Sequence, residues 1–307
     1  MTKTKLIVVA GPTASGKTRL GIEVAKAVGG EIISADSMQI YKGVSIATAA
    51  PTKEEQSEVP HHLVEFLDKD KNFSVSDYCD LAKKEIEDIT KRGKVPVVVG
   101  GTGLFINSLV DNIKFIESKT DFELRDKLMQ KDVDELYEEL KKVDSVAAGK
   151  IHKNNKTRVV RALEIYYSSG KTKTMQDDES RTEESPYDVL YFVIGYENRD
   201  ILYNRINKRV DIMAQNGLVA EAKENLKNAT GTSAQAIGHK ELVPYFKGEL
   251  TMEEALDNLK KETRHYAKRQ ITWFKKRENA VWLYADVLGN EQLIKMAIEK
   301  SREFLNG

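Results

Sequence analysis

The sequence predicts an α/β protein. Its frame is a P-loop, doubly wound parallel sheet with an inserted helical subdomain and a helical C-terminal region. Three observations lead there. Runs rich in Val and Ile recur at 6–10, 31–35, 95–99, 189–195 and 281–284, nearly continuous, as in parallel strands buried on both faces. Helical patterns alternate with them, which places ligands at the carboxyl ends of the strands. The first run leads directly into Gly11-Pro12-Thr13-Ala14-Ser15-Gly16-Lys17-Thr18.

That octapeptide sits between a strand and an amphipathic stretch with Leu20, Val24 and Val28 at i, i+4 and i+8. Its glycines let backbone N–H groups curl around phosphate oxygens, the helix start adds positive potential, and Lys17 adds a point charge. Thr18 places a hydroxyl on a magnesium ion or on a phosphate oxygen. The loop therefore binds a diphosphate or a triphosphate, a nucleotide such as ATP included, and leaves the reaction open. The second strand ends in Ser34-Ala35-Asp36-Ser37-Met38-Gln39-Ile40-Tyr41-Lys42. Asp36 falls at the carboxyl edge beside the loop, where it either holds magnesium or takes a proton, or else caps a turn.

A helix follows from near Ser76 to Arg92-Gly93, a good C-terminal signal. The next strand runs Val97-Val98-Val99 into Gly100-Gly101-Thr102-Gly103. A P-loop ATPase carries a magnesium-linked Asp at that point, so the glycines and threonine argue against nucleotide hydrolysis as the main task. A tight strand-to-helix turn explains the glycines as well as a nucleotide motif does.

From 114 to 186 the alternation stops, and helical patterns cover 121–142 and 157–168. The expected division is a core of 1–113 with 187–307, and an inserted helical subdomain of 114–186. In the helix expected over 201–213, Arg205 and Arg209 share a face. They either clamp a diphosphate or pair with Asp211 and solvent, and the residues alone favour the second.

The formal net charge is zero, but the charge is segregated. Lys260–Arg277 holds eight Lys/Arg against Glu262 alone, and Lys150–Lys173 seven against Glu164 alone. In the first, Arg264, Lys268 and Arg269 alternate with Tyr266, Trp273 and Phe274. Cations neutralise phosphates and aromatic faces accept unstacked bases, so this stretch favours a nucleic-acid face. His61-His62 lacks partners at metal-ligand spacing. No apolar run approaches the ~20 residues of a membrane span, and the Met-Thr-Lys-Thr-Lys start resembles no signal peptide. Cys79, the only cysteine, excludes an internal disulfide and is expected as core filler in a cytoplasmic protein.

Six motifs in order resemble the tRNA dimethylallyltransferases (tRNA isopentenyladenosine synthases), in their bacterial form. They are residues 11–18, Asp36–Lys42, Gly100-Gly101-Thr102-Gly103-Leu104, Arg158–Glu164, Gln235-Ala236-Ile237-Gly238 and Thr263–Phe274. The chain departs locally at Ala47-Thr48-Ala49-Ala50-Pro51 and at Phe105.

The resemblance implies transfer of a dimethylallyl group from dimethylallyl diphosphate to N6 of adenosine 37 in tRNA, with Mg2+. It implies Asp36 as the base, Thr102 near the reacting centre, and Lys17 and Arg209 with loop residues 11–18 on the diphosphate. It implies tRNA contacts from Asp36, Ser37, Met38, Gln39 and Thr102, from Arg125, Thr157, Arg158, Val159, Val160 and Arg161, and from Arg264, Lys268 and Arg269. The partner is then the tRNA anticodon stem-loop, with no membrane and no obligate protein partner; a monomer suffices. A relative acting on free AMP, a small-molecule P-loop kinase and a non-catalytic RNA-binding protein are the alternatives.

Overall fold

The computed structural model describes residues 3–115, 121–181, 183–228 and 232–307. Residues 116–120 and 182 of the expected insertion, and the Met1-Thr2 start, lie outside the described residues. The chain divides into two compact units, 1–110 with 186–307, and 111–185, so the insertion begins three residues before the expected 114 and ends one residue before the expected 186.

The first unit is built on a six-stranded sheet of β1 (Thr4–Ala10), β2 (Gly30–Ser34), β3 (His61–His62), β4 (Val95–Gly100), β5 (Tyr187–Gly195) and β6 (Ala280–Tyr284). Every pairing is parallel, in the order β3-β2-β4-β1-β5-β6. Val8 of β1 stands level with Val98 of β4 and with Tyr191 of β5. The apolar residues of the central strands are buried, which is why their sequences are continuously apolar and do not alternate.

Two residues long, β3 is too short to carry a periodic signal. It is fixed at the sheet edge by charge: Glu31 accepts from His62 Nε2 at 2.8 Å and from the Arg92 guanidinium. Arg92, then His62, hold the Glu31 carboxyl down to about 2. His62 Nδ1 meets Glu85 at 2.9 Å, so this histidine serves the fold. Cys79 is buried, and burial pushes its thiol up to about 12.

Helices start where the sequence offers caps. Ser74 and Asp77 form a capping box for Val75–Lys91, and Thr251 with Glu254 does the same for the 23-residue helix Met252–Phe274, satisfying donors that the first turn leaves unpaired. The glycines after β4 are packing residues. A Cβ on Gly100 would lie 2.1 Å from the Ala35 carbonyl oxygen, and one on Gly103 2.2 Å from the Trp273 ring. Only glycine lets β2 and the long helix close on this turn.

The second unit is helical: Phe122–Gln130, Val133–Val143, Ser145–Lys150, Lys156–Ser169 and Lys173–Glu179. The single helix expected over 121–142 is two, because Asp132 adopts extended backbone and caps the second by accepting from the N–H groups of Asp134 and Glu135. Asp121, Asp144, Asn155 and Thr172 cap other helices, so much of the acidic character of this region is capping chemistry. Leu128, Leu136, Leu140, Val159, Val160 and Leu163 are among its core residues.

Candidate active site

The carboxyl ends of β1, β2 and β4 deliver the loop 11–16, Asp36 and Gly101 to one edge of the sheet. The loop turns through left-handed backbone at Ala14 (φ 61°) and Gly16 (φ 96°), which exposes successive N–H groups as an anion cradle. It is braced from outside by Arg205 Nε, which donates to the Ala14 carbonyl at 2.9 Å, and by the Tyr196 hydroxyl, which donates to that of Ser15 at 3.3 Å. From inside, Gln270 on the long helix accepts from the Thr13 N–H at 2.9 Å and donates to the Gly101 carbonyl at 2.8 Å.

Above this edge opens a cavity of about 270 Å3. Its lining includes the polar Lys17, Thr18, Asp36, Arg209, Tyr266 and Arg269 and the apolar Ile206, Val210, Met213, Ile237 and Leu259. Burial, with the Arg209 charge adding to it, pushes the Lys17 ammonium down to about 8 against the pull of Asp36. Burial also lowers Arg209, and Asp36 opposes that shift. Burial, then the negative charge of Asp36, raises the Tyr266 phenol. Two cations beside one carboxylate in a desolvated pocket have the charge to receive an anion.

Asp36 caps the turn that follows β2. Its Oδ1 accepts from the backbone N–H of Met38 at 3.0 Å and of Gln39 at 3.4 Å, capping the turn, and the residue also lines the cavity. For Arg209 the solvated reading fails. The partner of Asp211 is Lys260, at 2.8 Å, while Arg209 turns inward and donates to the Thr48 carbonyl at 3.1 Å.

Thr102 stands one residue behind the cavity wall. Its Oγ1 accepts from the Ser37 N–H at 3.0 Å and donates to the Ser37 hydroxyl at 3.4 Å. Ser37, Met38 and Gln39 line the cavity, but the Gln39 amide is committed to the Thr48 and Ala49 carbonyls, both at 3.2 Å. On the long helix Arg269 reaches the cavity with its guanidinium over the Tyr266 ring, whereas Arg264 donates to Asn207 at 2.7 Å. Lys268 is exposed.

In the helical unit, Arg125 and Arg161 both meet the buried Glu164, at 2.8 and 3.0 Å. Thr157 and Arg158 lie on the first turn of Lys156–Ser169. Val159 and Val160 are core residues, which corrects the expectation that their side chains touch RNA. Tyr266 and Gln270 escape a residue-by-residue reading, although their spacing of four on one helix face with Thr263 and Ala267 marks them.

A parallel sheet whose first turn is a phosphate-binding loop, with a cavity of mixed polar and apolar lining at that edge, defines an α/β P-loop protein. The family profile described as IPP transferase matches residues 39–277. The tRNA dimethylallyltransferase of Caldanaerobacter subterraneus subsp. tengcongensis is 46% identical over 290 residues, 92% of each chain, and that of Halalkalibacterium halodurans 44% over 286, 91% of each. The crystal structure of the tRNA isopentenylpyrophosphate transferase of Staphylococcus epidermidis is 42% identical, with TM-score 0.73 over 98% of this chain and all of the other. A eukaryotic dimethylallyltransferase captured acting on tRNA superposes with TM-score 0.83 at 30% identity, over 99% of this chain and 80% of that one. The chain belongs to the IPP transferase family.

Proposed function

We propose that this protein transfers the dimethylallyl group of dimethylallyl diphosphate to N6 of adenosine 37 in tRNA and releases diphosphate. The observation that carries the reading is one cavity lined both by Lys17 and Arg209 with Asp36 and by apolar side chains such as Ile206, Met213 and Leu259. The allylic C–O bond breaks as the N6–C bond forms, and the leaving diphosphate gains negative charge. Loop N–H groups, Lys17 and Arg209 meet that charge. N6 is a poor nucleophile with its lone pair delocalised into the ring, and Asp36 takes its proton. Thr102, bonded to Ser37, keeps the base-binding edge in register. The adenine leaves the anticodon-loop stack to enter the cavity.

The site suits Mg2+. Among the described residues no cluster of three or more His, Cys, Asp or Glu could hold a metal by itself, but the Thr18 hydroxyl and the Asp36 carboxylate are hard oxygen donors on one wall. Magnesium is commonly held by one or two carboxylates together with substrate phosphates. Bound there, it would neutralise diphosphate charge. ATP fits the same cradle as a competitor. Arg264, Lys268 and Arg269, with Arg125, Thr157, Arg158 and Arg161 of the helical unit, take the anticodon stem-loop, and the enzyme works as a cytoplasmic monomer. Among the described residues no helix is long and apolar enough to cross a membrane.

Incubation with labelled dimethylallyl diphosphate, offering tRNA or AMP as acceptor, tests this. Label should enter tRNA alone. Label on AMP, or phosphorylation dependent on ATP, would replace the reading.

A further inference from the structure

Behind the cavity wall lies a buried relay that none of these roles uses. Glu221 and Asn225 are one turn apart on the helix Leu218–Asn228, so their side chains leave one face. The fully buried His239 stands between them, with Nε2 2.9 Å from Glu221 Oε1 and Nδ1 2.8 Å from the Asn225 amide nitrogen. An amide nitrogen only donates, so Nδ1 accepts and Nε2 carries the proton given to Glu221.

The Glu221 carboxylate also caps the short turn Ser45–Thr48: Oε2 accepts from the Ile46 N–H at 2.7 Å and Oε1 from the Ala47 N–H at 2.9 Å. At the other end of that turn the Thr48 carbonyl accepts from Arg209 and from Gln39. Ala47, Thr48 and Ala49 line the cavity, while Glu221 and His239 do not. Gly238, next to His239, backs onto the same wall, since a Cβ there would lie 3.1 Å from the Ala47 Cβ. The relay thus fixes a wall segment at one end, and the far end of that segment gives Arg209 a carbonyl anchor.

We infer that Glu221 and His239 are positioning residues that set the shape of the prenyl-donor pocket and the aim of Arg209, and so decide which allylic diphosphates fit. This rests on the donor reading above. Neither side chain reaches the cavity, so its effect passes through the Ala47–Ala49 wall.

Two variants test it, Glu221→Gln and His239→Gln. A glutamine at 221 turns an amide NH2 toward donors that need an acceptor. In folded E221Q, KM for dimethylallyl diphosphate should rise roughly tenfold, within the hundredfold that a 1 Å misplacement costs. KM for tRNA should stay close to the parent. Discrimination against the longer geranyl diphosphate should weaken. H239Q keeps a donor for Glu221 but loses the link to Asn225, and should show the same two changes at roughly threefold. A merely structural pair would lower the melting temperature and leave both readouts unmoved in the folded fraction, and that result overturns the inference. If E221Q does not fold, H239Q decides by the same readouts. The parent enzyme is the control: without prenyl transfer by the parent the donor reading itself falls, whereas parent transfer with unmoved variants removes the relay alone.

Discussion

The two basic stretches carry similar charge and are wired differently. In the helical unit, Lys153, Arg161, Lys171 and Lys173 lie against Asp134, Glu164, Glu179 and Asp177. On the long helix Lys260 meets Asp211, but Arg264 meets an amide and Arg269 lies over the ring of Tyr266. A carboxylate cancels a cation's field; an amide or a ring orients it and leaves the charge standing. Equal counts of Lys and Arg therefore do not mean equal attraction for a polyanion. The long helix keeps its positive potential, and the stretch 150–173 gives much of its own to internal pairing.

The largest expected effect sets the carboxylate of one region against that of the other. Asp36→Ala should lower turnover by roughly a hundredfold or more, the scale of a positioned general base, with tRNA affinity nearly kept. Glu164→Gln should leave single-turnover rates close to the parent and lower folding stability by about 1–3 kcal/mol through the weakened bonds to Arg125 and Arg161. Rapid-quench kinetics and urea melts on both variants check this. A rate loss in E164Q matching that of D36A would break the comparison.

Next in size is the cavity cation. Lys17→Ala should weaken binding of dimethylallyl diphosphate by roughly ten- to a hundredfold, the worth of one charge-assisted hydrogen bond. Calorimetric titration with inorganic diphosphate isolates that interaction from the chemistry. Undiminished binding would leave Arg209 and the loop N–H groups as the whole anion site.

A smaller effect separates the two stretches directly. Replacing Arg264, Lys268 and Arg269 by Gln should flatten the dependence of log tRNA affinity on log salt, by about 0.7–0.9 for each phosphate that is no longer neutralised. Lys153→Gln with Lys171→Gln should change it less, because those cations already face carboxylates. Equal flattening in both sets would mean that the ion pairs open on RNA binding.

How far the sequence reaches follows from the range of the interactions involved. Five strands, the phosphate loop and the cavity edge are legible because each is written in a contiguous run: Leu6–Ala10, residues 11–18, Asp36–Lys42. The two-residue strand at His61–His62 is not, since it exists through the distant Glu31 and Arg92. Arg209 misleads for the same reason. Spacing puts Asp211 within its reach, and only the fold shows Lys260 taking Asp211 and the Thr48 carbonyl taking Arg209. Gln270 is the clearest case: its two bonds join Thr13 and Gly101, residues that no local pattern brings together.

The smallest effect is a titration, and it follows from the same contrast between paired and unneutralised cations. Burial, and after it the Arg209 charge, hold the Lys17 ammonium down to about 8 from 10.5 against the pull of Asp36. Below that value the group is charged and attracts diphosphate; as pH rises through it, the free enzyme loses the charge and donor affinity should fall. The sign for folding is opposite. Between about 8 and 10.5 the unfolded chain binds this proton more tightly than the native one, so the contribution of Lys17 to stability rises with pH across that window. An increase in KM for dimethylallyl diphosphate of roughly three- to tenfold between pH 7.5 and 9 is therefore expected without any loss of fold. Lys17→Arg keeps its charge throughout, and should show a flat profile over that range at whatever level of activity it retains. If the arginine variant loses donor affinity at high pH as steeply as the parent does, the titrating group is not Lys17.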